Sequence, residues 1–357
     1  MRGVSSFQPL RLLQLVTRWR SWWTVPAVDL SGPFISHDAS FARVTGPAPQ
    51  LHLVVRTGAH EGPVYVPGQD VLYVTSLANP AATIECIRFN RDSFPLTPDH
   101  IDTVVAPVTM PNGMTLDGSG RLVICEQGDH THDARVSRLD LATGHVTTLG
   151  DRWRGKRLNS PNDVAVAPDG SVWFTDPCYG HLQGFRPTPE LGDFVYRWAP
   201  EADALDVVAD GFDKPNGIVL SPDGGTLYVT DSGANQTAGS FHVHRPHHVV
   251  AFDVTGGRRL TGRRLVAVTS PGIPDGLKVD AQGRLYVSSA NGVLVLAPEG
   301  ELLGELLIPG AVNFTFGGAD GNVLFVTTDT AVWAASLAVT GPTASRSNHP
   351  NEIRIGG

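Results

Sequence analysis

Six polar residues stand at the same place in six copies of one phrase: Glu61, Asn112, Asn162, Asn216, Asp275 and Asn313. Each opens an alternating apolar strand, then comes a glycine turn, then a second strand that ends in small or acidic residues, as in NDVAVAPDGSVWFTD from Asn162. Two carboxylates and four amides offer only oxygen as a ligand atom. Brought to one point, the carboxylates would repel each other unless a counterion joined them. Oxygen-only coordination suits Ca²⁺ first, with Mg²⁺ or Mn²⁺ as alternatives and Zn²⁺ less suited for want of His or Cys. Asn and Asp also cap strands and satisfy turns, which would account for any one position more easily than for six equivalent ones.

The spacing says which elements would position them. Successive copies start 38 to 59 residues apart, the length of a four-stranded propeller blade. The expected fold is all-β, a six-bladed β-propeller over residues 51–341, preceded by an irregular N-terminal extension, 1–50, and followed by a polar C-terminal tail, 342–357. Pro26, Pro33, Pro47 and Pro49 break any long element in the extension. LHLVV, 51–55, is a strand that could join the last blade and close the ring. In a propeller the innermost strand of each blade runs along the central channel, so the six polar residues converge on its axis. Glu126, Asp176 and Asp231 would return to the same face one strand outward, to orient the amides or substrate or to stabilise turns.

Composition narrows the function classes. The 357 residues are 41% hydrophobic and 17% charged, with 39 Gly and 27 Pro, which favours many short strands and a large core. A net charge of −8 and only short basic groups argue against nucleic acid as a partner and leave room for a cation. Cys86, Cys125 and Cys178 form no CxxC pair, so neither a zinc cluster nor a disulfide framework is expected, although one disulfide stays open. Arginines break the N-terminal apolar run, so a cytoplasmic protein is expected, with secretion as the alternative. No run approaches the ~18 apolar residues of a membrane helix, and no membrane partner is expected. Nucleophile-elbow, HExxH, P-loop and dinucleotide patterns are absent. Trp22 and Trp23 could pack on this chain or on a second copy; the oligomeric state is not readable.

The phrases HEGPVY (60–65), RLNSPNDV (157–164), WFTDPCYG (173–180), KPNGI (214–218) and IPDGLKVD (273–280) resemble the gluconolactonase and regucalcin (senescence marker protein) family of six-bladed propellers. YGHLQGFRPTPEL, 179–191, most resembles its lactonohydrolases. Cys178 departs from the common TDPPYG form and is expected to be a packed thiol. The resemblance implies one divalent metal, Ca²⁺ or Zn²⁺, held by Glu61, Asn162, Asn216 and Asp275, with Asn112 facing substrate and Glu126 nearby.

The activity this implies is metal-dependent hydrolysis of a sugar-derived or pantoyl-type lactone. Lactone opening needs a polarised carbonyl, an activated water and a stabilised oxyanion. Asp275 is the expected general base and Glu61 the alternative. Asn112 and Asn162 could donate to substrate or oxyanion, Arg157 could pair an anionic group, and His242, in the His-rich stretch 242–248, could shuttle protons or line the pocket. His60 is expected to point away from Glu61, and Asp163 to be a turn or strand-end residue. A phosphotriesterase-like hydrolase and a non-catalytic, metal-stabilised binding propeller are the alternatives.

Overall fold

The computed structural model describes residues 32–342 apart from 78–80, 90–93 and 95. Expectations for Trp22, Trp23 and the tail beyond 342 lie outside the described residues. The chain is a six-bladed β-propeller. Blade 1 comprises Ala59–Val66, Val71–Ser76, Ile84–Phe89 and Pro98–Thr103, and blade 2 Pro111–Leu116, Leu122–Glu126, Arg135–Leu139 and Val146–Gly150. Blade 3 is built from Val164–Val166, Val172–Asp176, Phe194–Ala199 and Ala204–Ala209, and blade 4 from Pro215–Leu220, Thr226–Asp231, His248–Thr255 and Arg259–Val268. Blade 5 runs from Leu277–Val279 through Leu285–Ser289 and Gly292–Leu296 to Leu302–Leu307, with Phe34–Ser36 added outside it. Blade 6 takes Ala311–Gly317, Val323–Thr328 and Ala331–Ser336 from the C-terminal end of the ring. Its fourth strand is Gln50–Val55, antiparallel to Ala331–Ser336 with Leu53 opposite Trp333, so the two ends of the propeller are stitched together by backbone hydrogen bonds.

The period-2 alternation of each strand supplies both faces of a blade with apolar side chains, and both faces are buried because a blade has a neighbour on each side. In blade 2, Leu122 and Ile124 pack against Val64, Tyr73 and Ile84 of blade 1, while Val123 and Cys125 pack against Val164, Val172 and Phe174 of blade 3. One such apolar cluster fills each of the six seams. The three cysteines are free, so the disulfide left open by the sequence does not form. No described helix is long and apolar enough to cross a membrane.

Near the axis the blades approach so closely that backbone touches backbone. A Cβ on Gly113 would lie 2.4 Å from Asn162 O, and one on Gly217 would lie 2.4 Å from Asp275 O. Gly217 N donates to that same carbonyl, at 3.1 Å. Gly217→Ala is therefore expected to destabilise the fold by about 2 kcal/mol or more through overpacking, read as a lower urea midpoint. An unchanged midpoint would show that the seam can open at no cost.

Candidate functional site

The six polar residues at the starts of the innermost strands are set by hydrogen bonds that pass from each blade to the next. Thr75 Oγ1 donates to Asn112 O (3.0 Å), Thr175 Oγ1 to Asn216 O (2.7 Å), Thr230 Oγ1 to Asp275 O (2.9 Å) and Thr327 Oγ1 to His60 O (2.8 Å). Blade 2 has Cys125 at that place; there Gly113 N (2.8 Å) and Asn112 Nδ2 (3.1 Å) reach Asn162 O instead. These hydroxyls escaped the sequence reading. Their signal is present: a Thr or Ser recurs near the end of the second strand in five copies, in YVTS, WFTD, YVTD, YVSS and FVTT.

Side chains of the ring are then placed one by one. Glu61, Asn112, Asn162, Asn216 and Asn313 are buried, and Asp275 is partly buried. Asn313 Nδ2 (2.7 Å) and Gly62 N (3.1 Å) both donate to Oε2 of Glu61. Burial pushes the Glu61 carboxyl above its usual range; the His60 charge and the Asn313 and Gly62 bonds work against the shift, and the charge of Asp163 adds to it. Asp275 is pushed well above the carboxylate range by burial and then by Glu61, with the His60 charge and a hydrogen bond from the Asn216 side chain opposing. Two carboxylates therefore sit close enough to resist sharing full charge. Asn162 Oδ1 is buried with no hydrogen-bond partner among the described residues. A buried carbonyl oxygen without a donor is costly, and beside two mutually repelling carboxylates it fits a hard cation taken by oxygen ligands. Among the described residues no group of three or more His, Cys, Asp or Glu gathers to offer a different kind of metal centre.

Residues 60–330 match the family model described as SMP-30/Gluconolactonase/LRE-like region. The chain belongs to that family. A lactonohydrolase of Aspergillus oryzae is 28% identical over 306 residues, which cover 79% of this chain and 69% of that enzyme. A gluconolactonase of Zymomonas mobilis is 30% identical over 203 residues, 54% of this chain and 53% of its own length, so the match spans about half of that relative. The structure of a gluconolactonase from Xanthomonas campestris superposes with a TM-score of 0.71 at 35% identity, covering 86% of this chain and 95% of that one.

Around this SMP-30/gluconolactonase-like ring, the other residues singled out in the sequence have partners within the chain. Glu126 does not stand free to meet a substrate. It is 1% exposed; Oε2 accepts from Thr109 N (2.8 Å) and Oε1 from Arg135 Nε (2.8 Å) and the Ser137 hydroxyl. Asp176 and Asp231 do the same work in their blades. Asp176 accepts from Asn159 N (2.9 Å) and Ser160 N (2.8 Å), and Asp231 from Asp213 N (3.0 Å) and Lys214 N (2.8 Å). All three therefore anchor the loop that leads into the polar ring residue of their own blade, Asn112, Asn162 and Asn216. Arg157 donates to Glu190 Oε1 from Nε (3.1 Å) and Nη2 (2.8 Å). His242 is exposed, with its backbone N–H donating to Ala234 O at 2.8 Å. Cys178 is a free thiol that burial pushes up to about 11.

Two residues near the ring gain importance. His60 does turn away from Glu61 and pairs with Asp329 at 2.8 Å; burial opposes its protonation, but Asp329 raises it to about 9. Asp163 stands at a strand end, immediately before Val164–Val166. It is 1% exposed, occupies the place that glycine holds after Glu61, Asn112, Asn216 and Asp275, and accepts from Val164 N (2.9 Å), Ile218 N (3.4 Å) and Lys278 Nζ (3.4 Å).

Proposed function

We propose that the chain is a metal-dependent lactonase, a carboxylic ester hydrolase that opens a sugar-derived or pantoyl-type lactone to its hydroxy acid. The observation that carries this reading is the buried Asn162 Oδ1, without a hydrogen-bond partner among the described residues, together with the mutually repelling Glu61 and Asp275. The names of the relatives, lactonohydrolase and gluconolactonase, point to the same chemistry. Glu61, Asn162, Asn216 and Asp275 would hold one divalent cation, Ca²⁺ by the preference of an oxygen-only donor set. Bound there, such a cation polarises a lactone carbonyl and acidifies water.

The protein's own groups divide the remaining work. Asp275 accepts the proton of the attacking water, and its position is held by backbone bonds that do not involve its carboxylate: Asp275 N to Ser288 Oγ (2.7 Å) and Thr230 Oγ1 to Asp275 O (2.9 Å). Glu61 is a ligand, fixed through one oxygen by Asn313 and Gly62 so that the other is left for the cation. Asn112 has one amide hydrogen taken by Asn162 O, which leaves its Oδ1 and second hydrogen for the hydroxyls of a polyol or pantoyl substrate.

A pH-stat screen of aldonolactones and pantoyl lactone tests the reading, on chelated protein with Ca²⁺, Mn²⁺, Mg²⁺ or Zn²⁺ added back. Ring opening that depends on the added ion is expected. Larger rates on paraoxon-like phosphotriesters than on every lactone would reassign the enzyme, and no hydrolysis with any ion would leave a metal-stabilised binding propeller.

A further inference from the structure

Asp163 and Lys278 touch at 3.4 Å although they belong to blades 3 and 5, which are not neighbours. Blade 4 stands between them, so the pair has to pass on the channel side of blade 4. Ile218, on the innermost strand of blade 4, donates its N–H to the same oxygen, Asp163 Oδ2. Leu277 and Val279 on either side of Lys278 are 0% and 2% exposed and pack in the seam with blade 4, and alternation along the strand turns Lys278 the other way. Room for the carboxylate comes from blade 2: a Cβ on Gly113 would lie 2.6 Å from Asp163 Oδ1.

Among the described residues, Asp163 and Lys278 thus add a carboxylate and an ammonium to the two carboxylates of the ring. Asp163 follows Asn162 directly, and its charge acts on both Glu61 and Asp275. His60, next to Glu61 in the chain, is turned away from it and pairs with Asp329 at 2.8 Å. Glu61, Asp163 and Asp275 against Lys278 leave two negative charges, the complement of a divalent ion.

We propose that Lys278 is a built-in counter-cation of the channel: by neutralising Asp163 through their cross-channel contact, it fixes the charge offered at the ring at minus two and makes the site select divalent over trivalent cations. The inference rests on the reading of the ring as a cation site. A charge fixed near an ion in a partly desolvated channel acts more strongly on a trivalent than on a divalent guest, because the Coulomb energy scales with the guest's charge.

The test is the ratio of Tb³⁺ to Ca²⁺ affinity, from terbium luminescence and calcium calorimetry on the full chain. Lys278→Met is expected to raise that ratio by about tenfold, Asp163→Asn to lower it by about tenfold, and Lys278→Arg, which keeps the charge, to leave it within about twofold. Opposite signs for the two charge-removing variants are the signature, since a loss of packing would move both the same way. A ratio unchanged in both, or shifted in one direction by both, overturns the role of Lys278 while the cation site stands. No binding of either ion by the wild-type chain overturns the cation site and this inference with it. If Lys278→Met does not fold, the direction of the Asp163→Asn shift decides.

Discussion

Asp275→Asn is expected to lower lactone kcat/KM by about 10³-fold, within the range spanned by loss of a general base, while the propeller stays folded. The side chain and the backbone of Asp275 serve different ends. Its N–H and C=O are tied to Ser288, Thr230 and Gly217, so the strand start is held whatever the carboxylate becomes. The carboxylate faces Glu61, and burial together with that neighbour makes its charge unfavourable unless a cation is present. An amide of the same shape retains a carbonyl oxygen for the cation but cannot take a proton. Kinetics at saturating Ca²⁺ would separate the two roles: a defect that excess ion repairs marks a ligand only, and a defect that persists marks the base. Turnover at the wild-type rate would remove Asp275 from the mechanism.

Chelation is expected to abolish turnover and to lower the melting temperature of the wild-type chain by about 5 °C, the consequence of losing the ~2.7 kcal/mol that a ligand contributes at a hundred times its Kd. Without the ion, the Glu61 charge acts against that of Asp275, and Asn162 Oδ1 has no donor among the described residues. The loss should therefore be smaller in the Asp275→Asn variant, where one of the two charges is gone. Differential scanning calorimetry with and without chelator, on both proteins, gives the comparison. Equal melting temperatures with and without chelator in the wild type, and unchanged hydrolysis, would show that no cation works in this ring.

The candidate site was legible in the sequence where its determinants are local. Asn162 could be matched to Asn112, Asn216 and Asn313 because each begins the same strand, turn and strand, and a propeller converts equivalent places in sequence into equivalent places round an axis. The partners of Glu126 could not be read from the sequence, for a reason of register. It stands opposite Arg135 on the neighbouring strand and reaches Ser137, so its oxygens are satisfied inside its own blade before any substrate could meet them. Asp163 stands at a strand end, immediately before Val164–Val166, as expected; only the folded neighbours show that its carboxylate also meets Ile218 and Lys278.

From the sequence alone came the repeat, the alternation that fills six seams, the polar residue at the head of each innermost strand and the family resemblance. These depend on residues a few positions apart, or on comparing one copy with the next. The tertiary structure decided which charges meet. Lys278 lies 115 positions from Asp163 and two blades away, and His60 finds Asp329 only once the ring is closed. Electrostatic partners across a closed ring are set by distance through the channel, and no pattern along the chain encodes that distance.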